Sequence, residues 1–183
     1  RPSSPASSKD AVAIAPAGAV VGGTCRHPAD FPSTRRLSRE HCVNQPMQRI
    51  VAIPCGDLAL HGMLYEPPEA TGRTLVLCDP FAEEKKCAHR PLVDLSRALC
   101  AAGYGVLRLD YRGCGNSPGL FRDAGPEDWL ADIRAALRFA REGLGAQRLG
   151  LAGLRMGASL AEIVAAEDSG GLACLVLLEP IID

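Results

Sequence analysis

The chain carries no excess of charge of either sign. Across 183 residues, 20 lysines and arginines face 21 aspartates and glutamates, for a formal net charge of −1. That balance removes the electrostatic case for nucleic acid or an anionic membrane surface as a partner. No apolar run approaches the length of a membrane span, so no membrane-embedded segment is expected. Cofactor signatures are missing too. There is no G-x-x-x-x-G-K-[ST], and the glycine-rich stretch "RGCGNSPG" reads G-x-G-x-x-x-G, one residue too long for a dinucleotide turn. Pro118, Gly119, Gly125 and Pro126 interrupt the helix that such a turn must enter. No cofactor is therefore expected, and no fixed-period repeat is present.

Eight cysteines are spread through the chain without a single C-x-x-C pair. Cys78, Cys100 and Cys174 lie inside apolar segments. Reduced thiols acting as small core hydrophobes in a cytoplasmic protein account for them better than a disulfide framework. The nearest thing to a metal-ligand cluster is Cys87-Ala88-His89, too little on its own for zinc, and no metal is expected.

What is present divides at about residue 48. Residues 1–48 are rich in Pro, Ser, Ala and Arg without sustained periodicity and read as a disordered N-terminal segment. Within it, "AVAIAPAGAVV" resembles a secretory core, but Pro16 breaks it and little basic charge precedes it. A linker, or sequence upstream of the true start, describes it better. The chain opens on Arg1 rather than Met and closes just after a strand-like run, as a fragment would.

From 49 onward the pattern is regular. "RIVAIP" and "LALHGMLYEP", joined by "CGD", predict an antiparallel hairpin over 49–53 and 58–65. "RTLVLCD" (73–79) is a buried strand followed by a loop, "PFAEEKKCAHR". Pro91 suits the first turn of a helix whose Leu92, Leu95, Leu99 and Ala102 share a face before Gly103. "YGVLRLDY" (104–111) is a strand. Pro126 opens a second helix, with Trp129, Ile133, Leu137 and Ala140 on one face. "RLGLAG" (148–153), "MGASLAEIVAAE" and "LACLVLLE" (172–179) read strand, helix, strand. The order implies an α/β fold: a doubly wound, mainly parallel sheet with helices on both faces and an N-terminal antiparallel hairpin. The apolar runs near 76, 107, 150 and 175 fit strands covered on both sides.

Three landmarks resemble the N-terminal half of the α/β-hydrolase superfamily, making 49–183 a partial, C-terminally truncated hydrolase domain. "TLVLCDPF" ends where such proteins place an oxyanion donor, "VLRLDYRGCGNSPG" is similar to their D-x-R-G-x-G-x-S segment, and "GLRMG" (153–157) has the frame of the nucleophile elbow, G-x-S-x-G. The stretch around "PFAEEK" further resembles hydrolases associated with exosortase A systems, in the serine aminopeptidase-like and esterase-like branch.

The resemblance implies a serine at the centre of that frame. Arg155 stands there, between Gly153 and Gly157. A guanidinium has no usable lone pair near neutral pH and cannot attack a carbonyl. The family's chain order of nucleophile, acid, histidine also fails within these residues, because all four histidines, at 27, 41, 61 and 89, precede Arg155. No catalytic residue is identifiable, and whether the chain is an enzyme stays open. Ser159 lies one helical turn on but has no evident base, so it reads as an ordinary helix serine.

A cation at a helix N-terminus, on a strained backbone, needs compensation. Glu83 or Glu84 is expected to form a bidentate pair with Arg155. The alternative is a small acidic ligand held by Arg155 with the amides of Met156 and of Phe81 or Ala82 as an anion-binding set. Three readings follow: a hydrolase-family protein without serine hydrolase activity, a non-catalytic binding or scaffold protein, or a hydrolase completed by sequence not present here. An apolar last strand left as a sheet edge also invites association.

Overall fold

Period-two alternation along the strands sorts the side chains onto two faces, and each face recruits its own helices. The structure is a computed structural model and describes residues 47–168 and 171–181. β1 (Met47–Cys55) and β2 (Leu58–Glu66) form the expected hairpin. Gly56 supplies the positive φ of 58° that a two-residue connection requires. β3 (Arg73–Cys78), β4 (Gly105–Leu109), β5 (Arg148–Leu154) and β6 (Cys174–Leu178) complete a six-stranded sheet of order β1-β2-β4-β3-β5-β6. β2 runs antiparallel to β4, and the remaining pairs, β4 with β3, β3 with β5 and β5 with β6, are parallel.

On one face, Leu77, Val106 and Ala152 meet Leu92 and Cys100 of α1 (Ala82–Ala101). On the other, Val76, Leu107 and Leu151 meet Ile133 and Leu137 of α2 (Pro126–Arg138) and Leu160 and Val164 of α3 (Met156–Glu167). Consecutive residues of each central strand thus feed opposite cores, as a doubly wound sheet requires. Each fully buried Leu, Ile or Val contributes roughly 1.5–3 kcal/mol. The mainly parallel sheet with helices on both faces is the architecture read from the sequence.

Four details differ. The first helix begins at Ala82, not at Pro91, so the "loop" 82–90 is helical and Pro91 lies inside the helix. Pro91 lacks the N–H that would bond back one turn, at a cost on the order of 3 kcal/mol. The first turns also lack an apolar stripe, which hid them from periodicity. Ion pairs support them instead: Lys86 with Glu83 at 2.6 Å, Lys85 with Asp110 at 2.6 Å, and Arg90 with Asp94 at 2.9 Å. The buried face is Leu92, Ser96 and Cys100 rather than the predicted leucine row, and Leu95 is exposed.

Met47 and Gln48, read as part of the N-terminal segment, already belong to β1. The rest of that segment lies outside the described residues. β6 is an edge strand, with Leu175 and Leu178 exposed, so the run near 175 is not covered on both sides. Cys174 is accordingly exposed rather than in the core, whereas Cys78 and Cys100 are fully buried. Among the described residues the six cysteines are free, and no three His, Cys, Asp or Glu side chains converge as a metal site would.

Candidate functional site

β5 runs directly into α3, and Arg155 is the single residue at the corner. It caps α3 with φ 56° and ψ −124°, a region that L-residues other than glycine rarely occupy. Its own N–H donates to the Leu178 carbonyl at 2.9 Å, and its carbonyl accepts from the Ala158 and Ser159 amides. Both flanking glycines are required by close approach. A Cβ on Gly153 would strike the Gly157 carbonyl and the Ala158 backbone, and one on Gly157 would strike the carbonyls of Cys78 and Asp79 at the end of β3. The corner is thus pressed against the segment that carries Phe81 and Ala82.

The guanidinium meets α1. Arg155 Nε donates to Glu84 Oε1 at 3.0 Å, one hydrogen bond rather than a bidentate fork, with both side chains close to half exposed. Glu83 turns away to Lys86. Phe81 precedes α1 with an extended backbone, and its ring stacks on Tyr111 at 4.7 Å and meets Trp129 at a tilt, with centroids 4.5 Å apart. Ala82 is left-handed, with φ 51°. Met156 opens α3 and packs against the same core as Phe81. Of the six residues singled out from the sequence, Arg155 and Glu84 meet across the corner; Met156 follows Arg155 at the start of α3, Phe81 and Ala82 lie at the start of α1, and Glu83 pairs with Lys86 instead.

Ser159 Oγ donates to the Ile181 carbonyl at 2.8 Å and accepts from the Ile181 N–H at 2.9 Å. The hydroxyl ties α3 to the segment after β6. Cys78 ends β3 in complete burial, and burial pushes its thiol up to about 12, against a smaller opposing effect of the Tyr111 hydroxyl. It stays a neutral thiol at physiological pH.

A charged cluster at the end of β4 was not legible in the sequence. The loop after β4 folds around the carboxylate of Asp110. Lys85 Nζ donates to it at 2.6 Å, the Asn116 N–H at 3.0 Å, and His61 Nδ1 lies 3.1 Å away. Burial alone raises the Asp110 pKa, but the Lys85 ammonium, the Asn116 amide and His61 together hold it below the usual carboxylate range. Gly115 is needed here, since a Cβ would meet that carboxylate. The glycine loop therefore encloses the chain's own anion. Lys85 is three-quarters or more covered in this pair.

Two further arginines form ion pairs that tie this end of the sheet and the loop after β4 to their neighbours. Arg108 on β4 forks onto Asp79 with Nη2–Oδ2 at 2.6 Å, both groups buried. Arg112 reaches Asp132 at 2.7 Å and Asp128 at 2.7 Å on α2. Of these residues only Arg112 carries a sequence signal, the D-x-R spacing from Asp110 within the segment "LDYRGCGNSPG".

Comparison with known proteins agrees with this fold. Residues 74–183 match the family described as serine aminopeptidase, S33. Est1E from Butyrivibrio proteoclasticus, solved with ferulic acid bound, is similar at 24% identity with a TM-score of 0.63, over 71% of this chain and 52% of that one. An esterase from Pyrococcus furiosus is similar at 22% identity and a TM-score of 0.62, over 81% and 55%. A proline iminopeptidase from Mycobacterium smegmatis is similar at 24% identity and a TM-score of 0.57, over 73% and 44%. These likenesses show the fold, and the chain spans about half the length of the solved structures it matches. No curated protein matches it by sequence.

Proposed function

This chain belongs to the serine aminopeptidase, S33, family of α/β-hydrolases, and we propose that its 183 residues do not hydrolyse through a serine nucleophile. The observation that carries this is Arg155 itself. It occupies the strained corner between β5 and α3, where the family frame G-x-S-x-G presents a hydroxyl. A guanidinium is not a nucleophile, and Ser159, the nearest hydroxyl on α3, is committed to Ile181. The test is hydrolysis of p-nitrophenyl acetate and butyrate by the 183-residue chain. The expected rate equals that of buffer and is the same for Arg155→Ala. A saturable rate would overturn the proposal.

A second reading is that the corner binds a small acidic ligand. It is supported by the single, half-exposed bond between Arg155 and Glu84, which leaves the rest of the guanidinium available, and by the helix N-terminus behind it. Small carboxylates or phosphates should then raise the melting temperature of the parent but not of Arg155→Ala. Equal shifts, or none, discard the reading.

Three finer assignments complete the proposal. The stretch "PFAEEK", which leads into and opens α1, supports placing the chain with the hydrolases associated with exosortase A systems. Free cysteines among the described residues, and no helix there long and apolar enough to cross a membrane, support a cytoplasmic setting. Exposed Leu175 and Leu178 on the edge strand support self-association, which a clean monomer on size exclusion would contradict.

A further inference from the structure

A second recess lies along the first turns of α1, and neither Arg155 nor Glu84 lines it. It is a cleft of about 450 Å3 between the first turns of α1 and the glycine loop after β4. We propose that this cleft binds a small amphipathic monocarboxylate, with the apolar or aromatic body inside and the carboxylate at the α1 rim. The assignment is independent of whether Arg155 is catalytically silent.

The body of the cleft is apolar and stiff. Phe121 lies on it with nearly half its surface exposed. That ring stacks on Trp129 at 5.4 Å and 20°, and Trp129 in turn meets Phe81 at 4.5 Å. An aromatic surface anchored in this way presents a face to a ligand at little conformational cost. Across from α1 the wall is Gly113, Cys114 and Gly115, so backbone and one thiol leave room for a ring or branched chain.

The rim sets the charge. Every ionisable side chain lining the cleft besides Cys114 is a basic type: Lys85, Lys86 and His89, from one face of α1. No carboxylate lines it. Lys85 is occupied by Asp110, but Lys86 has only an exposed partner, Glu83, with both side chains about three-quarters exposed. Such a pair is worth at most about 1 kcal/mol and yields readily to a better acceptor. His89 has no hydrogen bond or ion pair among the described residues, and its ring N–H can donate to a carboxylate. An apolar pocket with two available donors on one edge selects one negative charge on an apolar body.

The chain supplies its own reporter, because Trp129 is its single tryptophan and stacks on Phe121. The 183-residue protein is titrated with 4-tert-butylbenzoate and, separately, with the neutral amide 4-tert-butylbenzamide, following tryptophan emission. The acid should give a saturable change, and the double variant Lys86→Ala, His89→Ala should weaken it by roughly tenfold, as loss of a charged hydrogen bond would. The amide should bind the parent and the double variant alike. Saturating acid should protect Cys114 from maleimide, mapped by mass spectrometry, while the exposed Cys87 and Cys174 still react. Arg155→Ala should retain the parent's affinity. The proposal is overturned if acid and amide bind equally, if the double variant binds the acid as the parent does, or if Cys114 is not protected. It is equally overturned if affinity is lost in Arg155→Ala, which would put the carboxylate at the corner, or if no change occurs up to about 10 mM.

Discussion

Glu84 and Arg155 stand 71 positions apart in the chain and meet at 3.0 Å, joining the first turn of α1 to the corner that opens α3. The bond crosses the end of the sheet where β3 and β5 finish side by side, Cys78 opposite Gly153. It neutralises a cation that the helix N-terminus disfavours, and does so with one hydrogen bond between half-exposed groups. Such a bond contributes a few tenths to about 1 kcal/mol, less than the 1–3 kcal/mol that a side chain at this backbone conformation costs. The corner is therefore held by the packing of its two glycines and by the Leu178 carbonyl rather than by the ion pair.

The first prediction follows from that imbalance. Arg155→Gly and Arg155→Ala both remove the ion pair, but only glycine relieves the positive φ. At ordinary sites alanine is the more stabilising of the two. Here Arg155→Gly should be more stable than Arg155→Ala by about 1 kcal/mol in urea denaturation. Alanine equal to or better than glycine would show that the corner is relaxed.

The second concerns acid. Asp110 has its carboxyl pKa depressed in the folded protein: burial works against this, but Lys85, the Asn116 amide and His61 prevail. A depressed folded value means that the stabilisation is full above the ordinary carboxylate pKa, about 3.9, and is lost as pH falls through the folded value. The melting temperature of the parent should exceed that of Asp110→Asn at neutral pH, and the gap should shrink below about pH 4. A gap that stays constant with pH would mean that Asp110 acts by shape and not by charge.

The third concerns the thiols. Cys78 is fully buried with its pKa pushed up to about 12, whereas Cys87 and Cys174 are exposed. Brief treatment of the native protein with iodoacetamide should modify Cys87 and Cys174 and leave Cys78 intact until denaturant is added. Native labelling of Cys78 would contradict its place in the core.

The parts of this molecule that announce themselves in the sequence are those governed by local period. α3 spans Met156–Glu167, the stretch read as helix, because a strand ending in Gly153 and a helix beginning after Arg155 leave a sharp pattern break. The central strands declare themselves as apolar runs around Val76, Leu107 and Leu151, residues now fully buried. α1 was half hidden, since Pro91 imitates a first-turn proline and residues 82–90 bury little. Ion pairs have no period. Lys85 and His61 lie 25 and 49 positions from Asp110, and nothing in the spelling of the chain joins them. The Phe81, Phe121 and Trp129 cluster was equally silent, because each ring falls in a different segment and only the fold stacks them.

The most direct measurement is intact-mass analysis of the 183-residue chain after incubation with a fluorophosphonate, which phosphonylates an activated serine hydroxyl. With Arg155 at the corner and Ser159 tied to Ile181, the mass should remain that of the untreated chain. A stoichiometric adduct that maps to a serine in residues 47–181 would show a working nucleophile and contradict the account.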